Sequence, residues 1–531
     1  MHESLAGSDR EEGADEVKTK QSGRTTYTLL NAVTAILATL VNGVLGLVVT
    51  RLVISRFGSD FNGLDSTANQ IINVLLVLEG GFTLASNVAL FAPVANNEYG
   101  TINGVLKATR NKFRKIAGLF LAAGCVTAFV YTLTVNSGLP KELIFTVIIM
   151  AVLPQVINLF FATTYRVLLQ SQQREYVISS CNALTFGLAH LTNIFMITHG
   201  GQMWMVRFVT MVYALVNSLL IFTYTRKKNT YLDFRVEARP EMITGTNDVM
   251  AQKITGVVYA GWPIIFLSIT PNGGTMLASV YAVYNNVFMM LKALLYGIVD
   301  APRLSFGQMM TERKREEIWP VFKEYEFVAL FCVFIAFTTI SALIMPFVTM
   351  FTTGVEDINY KDAVIALFMI AIGVAEMLHI PCGHMINMSG NFRVSKRFQI
   401  IACGILIVLM TILGLIFGVY GMLTSILIVA VLLAVLEIGW MHGTFFEHKT
   451  GEFLKMVIPY LVCGAALVAV EITLSDRIGS IGALIGAGAV LALAHTAIAL
   501  GLGFVFSRKE ARGLFGRIQG IMKGFGKEKK A

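Results

Sequence analysis

The sequence predicts an all-α polytopic membrane protein. About 14 transmembrane helices are expected, as two six-helix bundles related by a pseudo-two-fold repeat plus two appended helices. Three observations predict this. Hydrophobic residues are 55% of the 531 and charged residues 14%, with a mean hydropathy of +0.68. Apolar segments long enough to cross ~30 Å of hydrocarbon at ~1.5 Å per residue recur along the chain. The first half also matches the second at a nearly constant offset.

Residues 1–25, MHESLAGSDREEGADEVKTKQSGRT, mix both charge signs and lack an apolar run. They read as a disordered cytoplasmic tail rather than a signal peptide. The apolar segments then lie near 28–50, 64–92, 115–135, 143–168, 176–198, 203–224, 249–270, 275–301, 325–350, 362–386, 398–418, 420–443, 455–474 and 479–506. Six of them form an N-terminal bundle over 26–224. A cytoplasmic linker over 225–248 leads to a C-terminal bundle over 249–444. The appended helices 13 and 14 occupy 445–506, and a basic tail closes the chain at 507–531.

Lys and Arg set the orientation, because basic loops are retained on the cytoplasmic side. With an inside N-terminus, the outer loops hold only Arg51, Arg56, Lys141, Lys361 and Arg477; Arg207 and Lys292 fall within spans. All other basic residues lie inside, Arg166 among them, which places both termini in the cytoplasm. The net charge of +9 then reflects loops beside anionic lipid, and nucleic acid is not called for. The inside loops 93–114 and 302–324 mix apolar and charged residues and are expected as amphipathic helices on the inner leaflet. The alternative is a pair of solvated connectors.

A shift of 216 aligns Asn69 with Asn285, Leu75 with Leu291, Gly81 with Gly297 and Lys107 with Lys323. A shift of 218 brings LLQSQQREY (168–176) onto NMSGNFRVS (387–395). An offset of six spans makes the copies parallel, a pattern that puts a substrate site near the midplane between bundles.

The segment Thr275–Pro302 carries Lys292 well inside an apolar helix. Tyr281, Asn285, Lys292 and Tyr296 share one helical face. A cation at that depth costs several kcal/mol unless it faces protein or water. The stripe therefore lines a wet cavity, or else Lys292 makes a structural ion pair or snorkels. Glu79, in LLVLEGGFT, is a second buried charge. It either pairs with Lys292 and carries a coupling proton or is capped by neighbouring hydroxyls. Glu376 and His379, three apart, form either a proton relay or ordinary hydrogen bonds. Arg207 reads as an interface anchor, and Glu437 and His442 as contacts to the cytoplasmic interface. Asn31, Asn42, Gln252, Thr255, Tyr259 and Trp262 either line the cavity or bond between helices. Pro263 should bend the seventh span.

The six cysteines sit in apolar segments with no paired or metal-ligand spacing, so buried free thiols are expected. No phosphate-binding Gly-Lys loop, HExxH or nucleophile elbow is present, which argues against an enzyme.

The stretch GLVVTRLVISRFGSDFNGLDSTANQIINVLLVLEGGFTLASNVALFAPVANNEYGTINGVLKATRNKF resembles the opening of bacterial polysaccharide flippases of the multidrug/oligosaccharidyl-lipid/polysaccharide (MOP) exporter superfamily. The match includes the TRL and FG before the second span and the acidic-Gly turn within it; GHMINMSGNFRVSKRFQII resembles their tenth-to-eleventh span connection. The resemblance covers about residues 25–450. It implies two six-helix bundles around a V-shaped cavity, alternating access in the bacterial cytoplasmic membrane, and an undecaprenyl-pyrophosphate-linked oligosaccharide as substrate. Polysaccharide polymerase and glycosyltransferases would be the protein partners. No cofactor is expected beyond H+ or Na+ coupling, for which Glu79, Glu376 and His379 are the candidates. A pyrophosphate needs positive charge, which Lys292 offers, while Tyr281, Asn285, Tyr296, Tyr259, Trp262 and Asn42 could meet the sugars. A cation-coupled drug exporter of the same superfamily and a peptidoglycan lipid-precursor flippase remain open. A single deep Lys292 departs from the clustered cations of the latter.

Overall fold

The computed structural model describes the backbone of residues 3–243, 246–300, 302–474 and 478–513, and side chains from residue 30 with a few gaps. Sixteen α-helices follow in order: α1 (Glu3–Leu75), α2 (Phe82–Ala95), α3 (Tyr99–Thr134), α4 (Lys141–Ile157), α5 (Thr163–Ser171), α6 (Glu175–Thr198), α7 (Met203–Lys228), α8 (Thr246–Ile269), α9 (Thr275–Asp300), α10 (Arg303–Glu312), α11 (Arg315–Phe351), α12 (Ala363–Leu378), α13 (Ile380–Met388), α14 (Phe392–Trp440), α15 (Gly451–Leu474) and α16 (Ile481–Phe506). No strand occurs among the described residues. The backbone of α1 is helical from Glu3, although a disordered tail is expected there from the composition.

Among the described residues, ten helical stretches are long and apolar enough to cross a membrane. Two of them, 47 and 54 residues long, would each measure roughly 70–80 Å at 1.5 Å per residue, more than twice the hydrocarbon thickness. Each must bend into two passes. The backbone does so where helical geometry fails, at Gly58 (φ 85°, ψ 169°) in α1 and at Gly418 (φ 59°, ψ −133°) in α14. Several passes are composite. The second runs from Gly58 through a 3-10 turn (Leu76–Glu79) into α2; the fourth joins α4 to α5 through a π-turn (Asn158–Ala162); the tenth joins α12 to α13 at His379. Counted in this way the chain makes the expected 14 passes.

By internal contacts the chain divides into Met1–Val257 and Val258–Ala531. The backbone of each carries the same marks. Left-handed residues stand at Gly58 and Gly274, 216 apart, at Gln173 and Gly390, 217 apart, and at Gly200 and Gly418, 218 apart. These are the offsets that align the sequences, so equivalent turns reverse the chain in both units.

In the first unit, Leu90, Val105, Phe113, Phe120, Val152, Leu168 and Ile221 form one buried core with Phe234 of the linker. The linker is fastened to α3: Asn103 Nδ2 donates to the Tyr231 carbonyl (2.9 Å), Lys107 Nζ to the Val236 carbonyl (2.7 Å), and Arg239 N to the Gly104 carbonyl (3.1 Å). For 93–114 this corrects the expectation of a surface helix on the inner leaflet; in 302–324, α10 stands as a separate short helix ahead of α11. α3 and α11 start at Tyr99 and Arg315 and run unbroken into their spans. The apolar face of 102–113 is covered by protein, because the linker offers it a better match than lipid.

In the second unit, α11 packs against α9, α12, α15 and α16. Tyr460 Oη on α15 donates to the Ala499 carbonyl of α16 (2.8 Å). Ser341 of α11 bonds Glu471 (2.7 Å), which is also held by His495 (2.6 Å). The appended pair is therefore fixed by buried polar contacts as well as by packing. The cysteines are free as expected, but only Cys382 is buried; Cys181, Cys332, Cys403 and Cys463 are partly exposed and Cys125 is exposed.

Candidate functional site

Four phenol and ammonium groups of the second unit converge on one carboxylate. Glu376 lies one turn before the break between α12 and α13. Its Oε2 accepts from Lys292 Nζ of α9 at 2.8 Å, and its Oε1 from Tyr259 Oη of α8 at 2.8 Å. The Lys292 and Glu376 side chains are only 16% and 15% exposed. Tyr281 and Tyr296, from the same stripe of α9 as Lys292, lie within electrostatic reach of Glu376. Their settings differ: Tyr281 is buried in the core, whereas Tyr296 is 45% exposed. Asn285 is half-buried between them. Burial thus puts Tyr281 out of a ligand's reach, while Tyr296 and Asn285 keep open surface.

The stripe is legible because helical spacing sets it, but its partner belongs to a helix 84 residues away. The expected pairing of Lys292 with Glu79 is therefore corrected. Lys292 is held by Glu376, and Glu79 accepts from Thr83 one turn on. Glu79 sits where Gly80 and Gly81 both take left-handed backbone (φ 61° and 73°). That conformation costs non-glycine residues ~1–2 kcal/mol, and here it lets the second span unwind and restart. The polar break is read directly from the glycines.

Past the tenth-span break, three histidine–carboxylate contacts follow. His379 Nδ1 bonds Glu437 Oε2 of α14 at 2.8 Å. His384 bonds Tyr325 Oη (3.1 Å) and reaches Asp300 (3.4 Å). His442 Nε2 bonds Glu326 Oε1 at 2.8 Å, with both residues buried. Gly383 admits the first of these, since a Cβ there would lie 2.6 Å from Glu437 Oε2. Two expectations change. Glu376 and His379 belong to the same span but take different partners, because the break at His379 turns its ring toward α14. Glu437 and His442 do not contact the membrane interface: α14 continues as a π-turn (Met441–Phe445) that keeps both inside the protein. Glu326 is missed by sequence reasoning, since it follows charged residues that look like loop.

In the first unit, Arg207 is 7% exposed and is bound to Asp65 Oδ1 and the Asp65 carbonyl, each at 2.5 Å, and to Asn69 Oδ1 at 2.9 Å. It is a buried brace between spans, not an interface anchor. Arg166, assigned to an inside loop, is instead part of α5 and bonds Asn217 (2.7 Å) and Asn182 (3.3 Å). Asn31 caps the start of α6, accepting from Tyr176 N at 2.6 Å and donating to the Gln173 carbonyl at 3.0 Å. Asn42 Oδ1 and Trp262 Nε1 are buried without a hydrogen-bond partner, so either could be met by a ligand or water. The Gln252 side chain lies outside the described residues.

Comparison with solved structures places this architecture. The chain aligns with "Lipid II flippase MurJ, inward closed conformation" at a TM-score of 0.64 and 13% identity, covering 90% of this chain and 99% of that one. It aligns with "a multidrug resistance MATE family transporter of the MOP superfamily" in its inward-facing conformation at a TM-score of 0.59 and 16% identity, covering 82% and 98%. The chain shares the fold of these transporters. A third alignment, to a MOP superfamily transporter from Pyrococcus furiosus, has a TM-score of 0.52 and 15% identity, covering 78% and 95%. No family model and no curated protein sequence matches the chain.

Proposed function

We propose that the chain is a flippase. It moves undecaprenyl-pyrophosphate-linked oligosaccharide repeat units across the bacterial cytoplasmic membrane by alternating access, with both termini in the cytoplasm. The observation that carries this reading is the Lys292–Glu376 pair, an ammonium in mid-span held by a carboxylate next to a helix break. Ionisable residues inside spans are rare and costly, and a frequent reason for keeping them is a substrate or ion path. A glycan cannot cross hydrocarbon without a polar path, because each hydroxyl would lose its hydrogen bonds to water.

The pair suggests how cargo and coupling ion are linked. A pyrophosphate competes with Glu376 for Lys292. Once displaced, the carboxylate needs another positive partner, which H+ or Na+ supplies. Tyr296 and Asn285, with open surface beside Lys292, would meet the head group, and Trp262 Nε1 would add a polar contact in the same unit; in the first unit, Asn42 Oδ1 is a separate candidate contact. Glu79 and His379 are secondary coupling candidates. Polymerase and glycosyltransferases would act on either side of this step, and the chain itself would be no enzyme.

Deleting the gene should abolish a surface polysaccharide and trap lipid-linked repeats on the inner leaflet. Wild type should restore polymer and Lys292→Ala should not. Normal polymer in the deletion strain would reject the glycan-flippase reading. Two alternatives draw on the shared fold. A peptidoglycan-precursor flippase would instead make the deletion halt cell-wall growth, and a drug exporter would leave polymer intact while sensitising cells to toxic cations.

A further inference from the structure

We infer that Glu326, Cys382 and His442 form a binding site for a borderline-soft divalent cation of the Zn2+ type. The site stands independently of what the chain transports.

The three residues come from α11, α13 and the π-turn after α14, and all are buried. One donor atom from each, all lying within 4.8 Å of one another, gives an O, S, N set. His442 Nε2 is 2.8 Å and Cys382 Sγ 3.4 Å from the same oxygen, Glu326 Oε1. Carboxylate, thiolate and imidazole together are the ligands that Zn2+ and Co2+ accept in tetrahedral sites.

Charge balance favours an ion. His442 Nδ1 is buried and partnerless, so the ring carries its hydrogen on Nε2, facing Glu326. Glu326 therefore receives two neutral donors, an N–H and an S–H. Among the described residues no Lys or Arg comes within ion-pair range of it. A buried carboxylate without a cation is costly. A divalent ion that replaces the thiol proton, while the imidazole hydrogen moves from Nε2 to Nδ1 to free the ligating nitrogen, brings Glu326, the Cys382 thiolate and neutral His442 to zero net charge. The thiol proton leaves to solvent, and no electron is transferred. The surroundings are dry, as a tight site requires: Trp319, Phe322 and Phe453 all stand edge-on to the His442 ring.

The purified full-length protein, stripped with chelator in detergent and dialysed, should bind one Co2+ per chain. A thiolate-to-cobalt charge-transfer absorption should appear in the near ultraviolet and disappear as Zn2+ displaces the cobalt. Cys382→Ser should abolish this band, and Glu326→Gln or His442→Gln should weaken Co2+ at least ~10-fold. Each variant is first shown to be monodisperse by gel filtration. For any variant that fails, the wild-type titration and elemental analysis of the untreated protein decide. No absorption and no retained metal in monodisperse wild type would overturn the proposal, leaving a hydrogen-bonded triad. A band that survives Cys382→Ser would overturn it as well.

Discussion

Neutralising Glu376 isolates the energetics of the central pair. At 2.8 Å, two unit charges attract by ~6 kcal/mol at an effective dielectric constant of ~20. Most of that offsets desolvation, and removing one partner of such a pair typically costs ~3–5 kcal/mol because the other charge stays buried. Glu376→Gln preserves the size of the side chain and an acceptor for Tyr259, so its cost falls on Lys292. Lys292→Met strands the carboxylate in the same way. In the double variant no charge remains, and the amide and thioether fill the same space. Thermal unfolding of the purified protein, followed by tryptophan fluorescence at fixed scan rate, should lower the apparent Tm by ~5–10 °C in each single variant. The double variant should recover at least half of that loss, giving a coupling of ~2 kcal/mol or more. Losses that simply add would mean the two groups do not sense each other, and the proposed exchange of counter-ions would fail with them.

Four other variants test the packing. Gly373→Ala places a Cβ 2.3 Å from Phe337 Cε1, an overlap that should cost ~1–3 kcal/mol, whereas at Gly404, where nothing lies within 4 Å, alanine should leave the apparent Tm unchanged. Asp65→Asn removes the charge that faces buried Arg207 and should destabilise by ~3 kcal/mol, seen as faster proteolysis of the first unit; an unchanged digestion rate would show that the brace is dispensable. Tyr460→Phe leaves the Ala499 carbonyl without its donor and should lower stability by ~1–2 kcal/mol; loss of α16 docking should also expose Cys463 on α15 to thiol labelling, and unchanged labelling would contradict that role.

How far the sequence reaches depends on what sets each feature. Passes and the repeat are local: Gly58, Gly274, Gly200 and Gly418 occupy left-handed turns that align at offsets of 216–218. The depth of Lys292 is equally local, being a matter of apolar run length. Partners are not local. Glu376 reaches Lys292 from 84 positions away, and Glu326 reaches His442 from 116 positions away, so helix packing decides both. Helix ends mislead most. Arg166 looks like a loop residue, and Glu437 and His442 like interface contacts at a span end, because charge usually marks a boundary, yet α5, α14 and the π-turn after it hold all three inside. The stretches ahead of the third and ninth spans mislead for the related reason that a covered amphipathic face and a lipid-facing one have the same periodicity.

Flipping itself can be watched most directly in proteoliposomes carrying a fluorescent-glycan, pyrophosphate-linked lipid in the outer leaflet. With the wild-type chain, the label should become protected from an impermeant quencher faster than in protein-free vesicles. With Lys292→Ala it should stay quenchable at the protein-free rate. Protection by wild type no faster than in empty vesicles would contradict the account, and equal protection by wild type and Lys292→Ala would remove Lys292 from it.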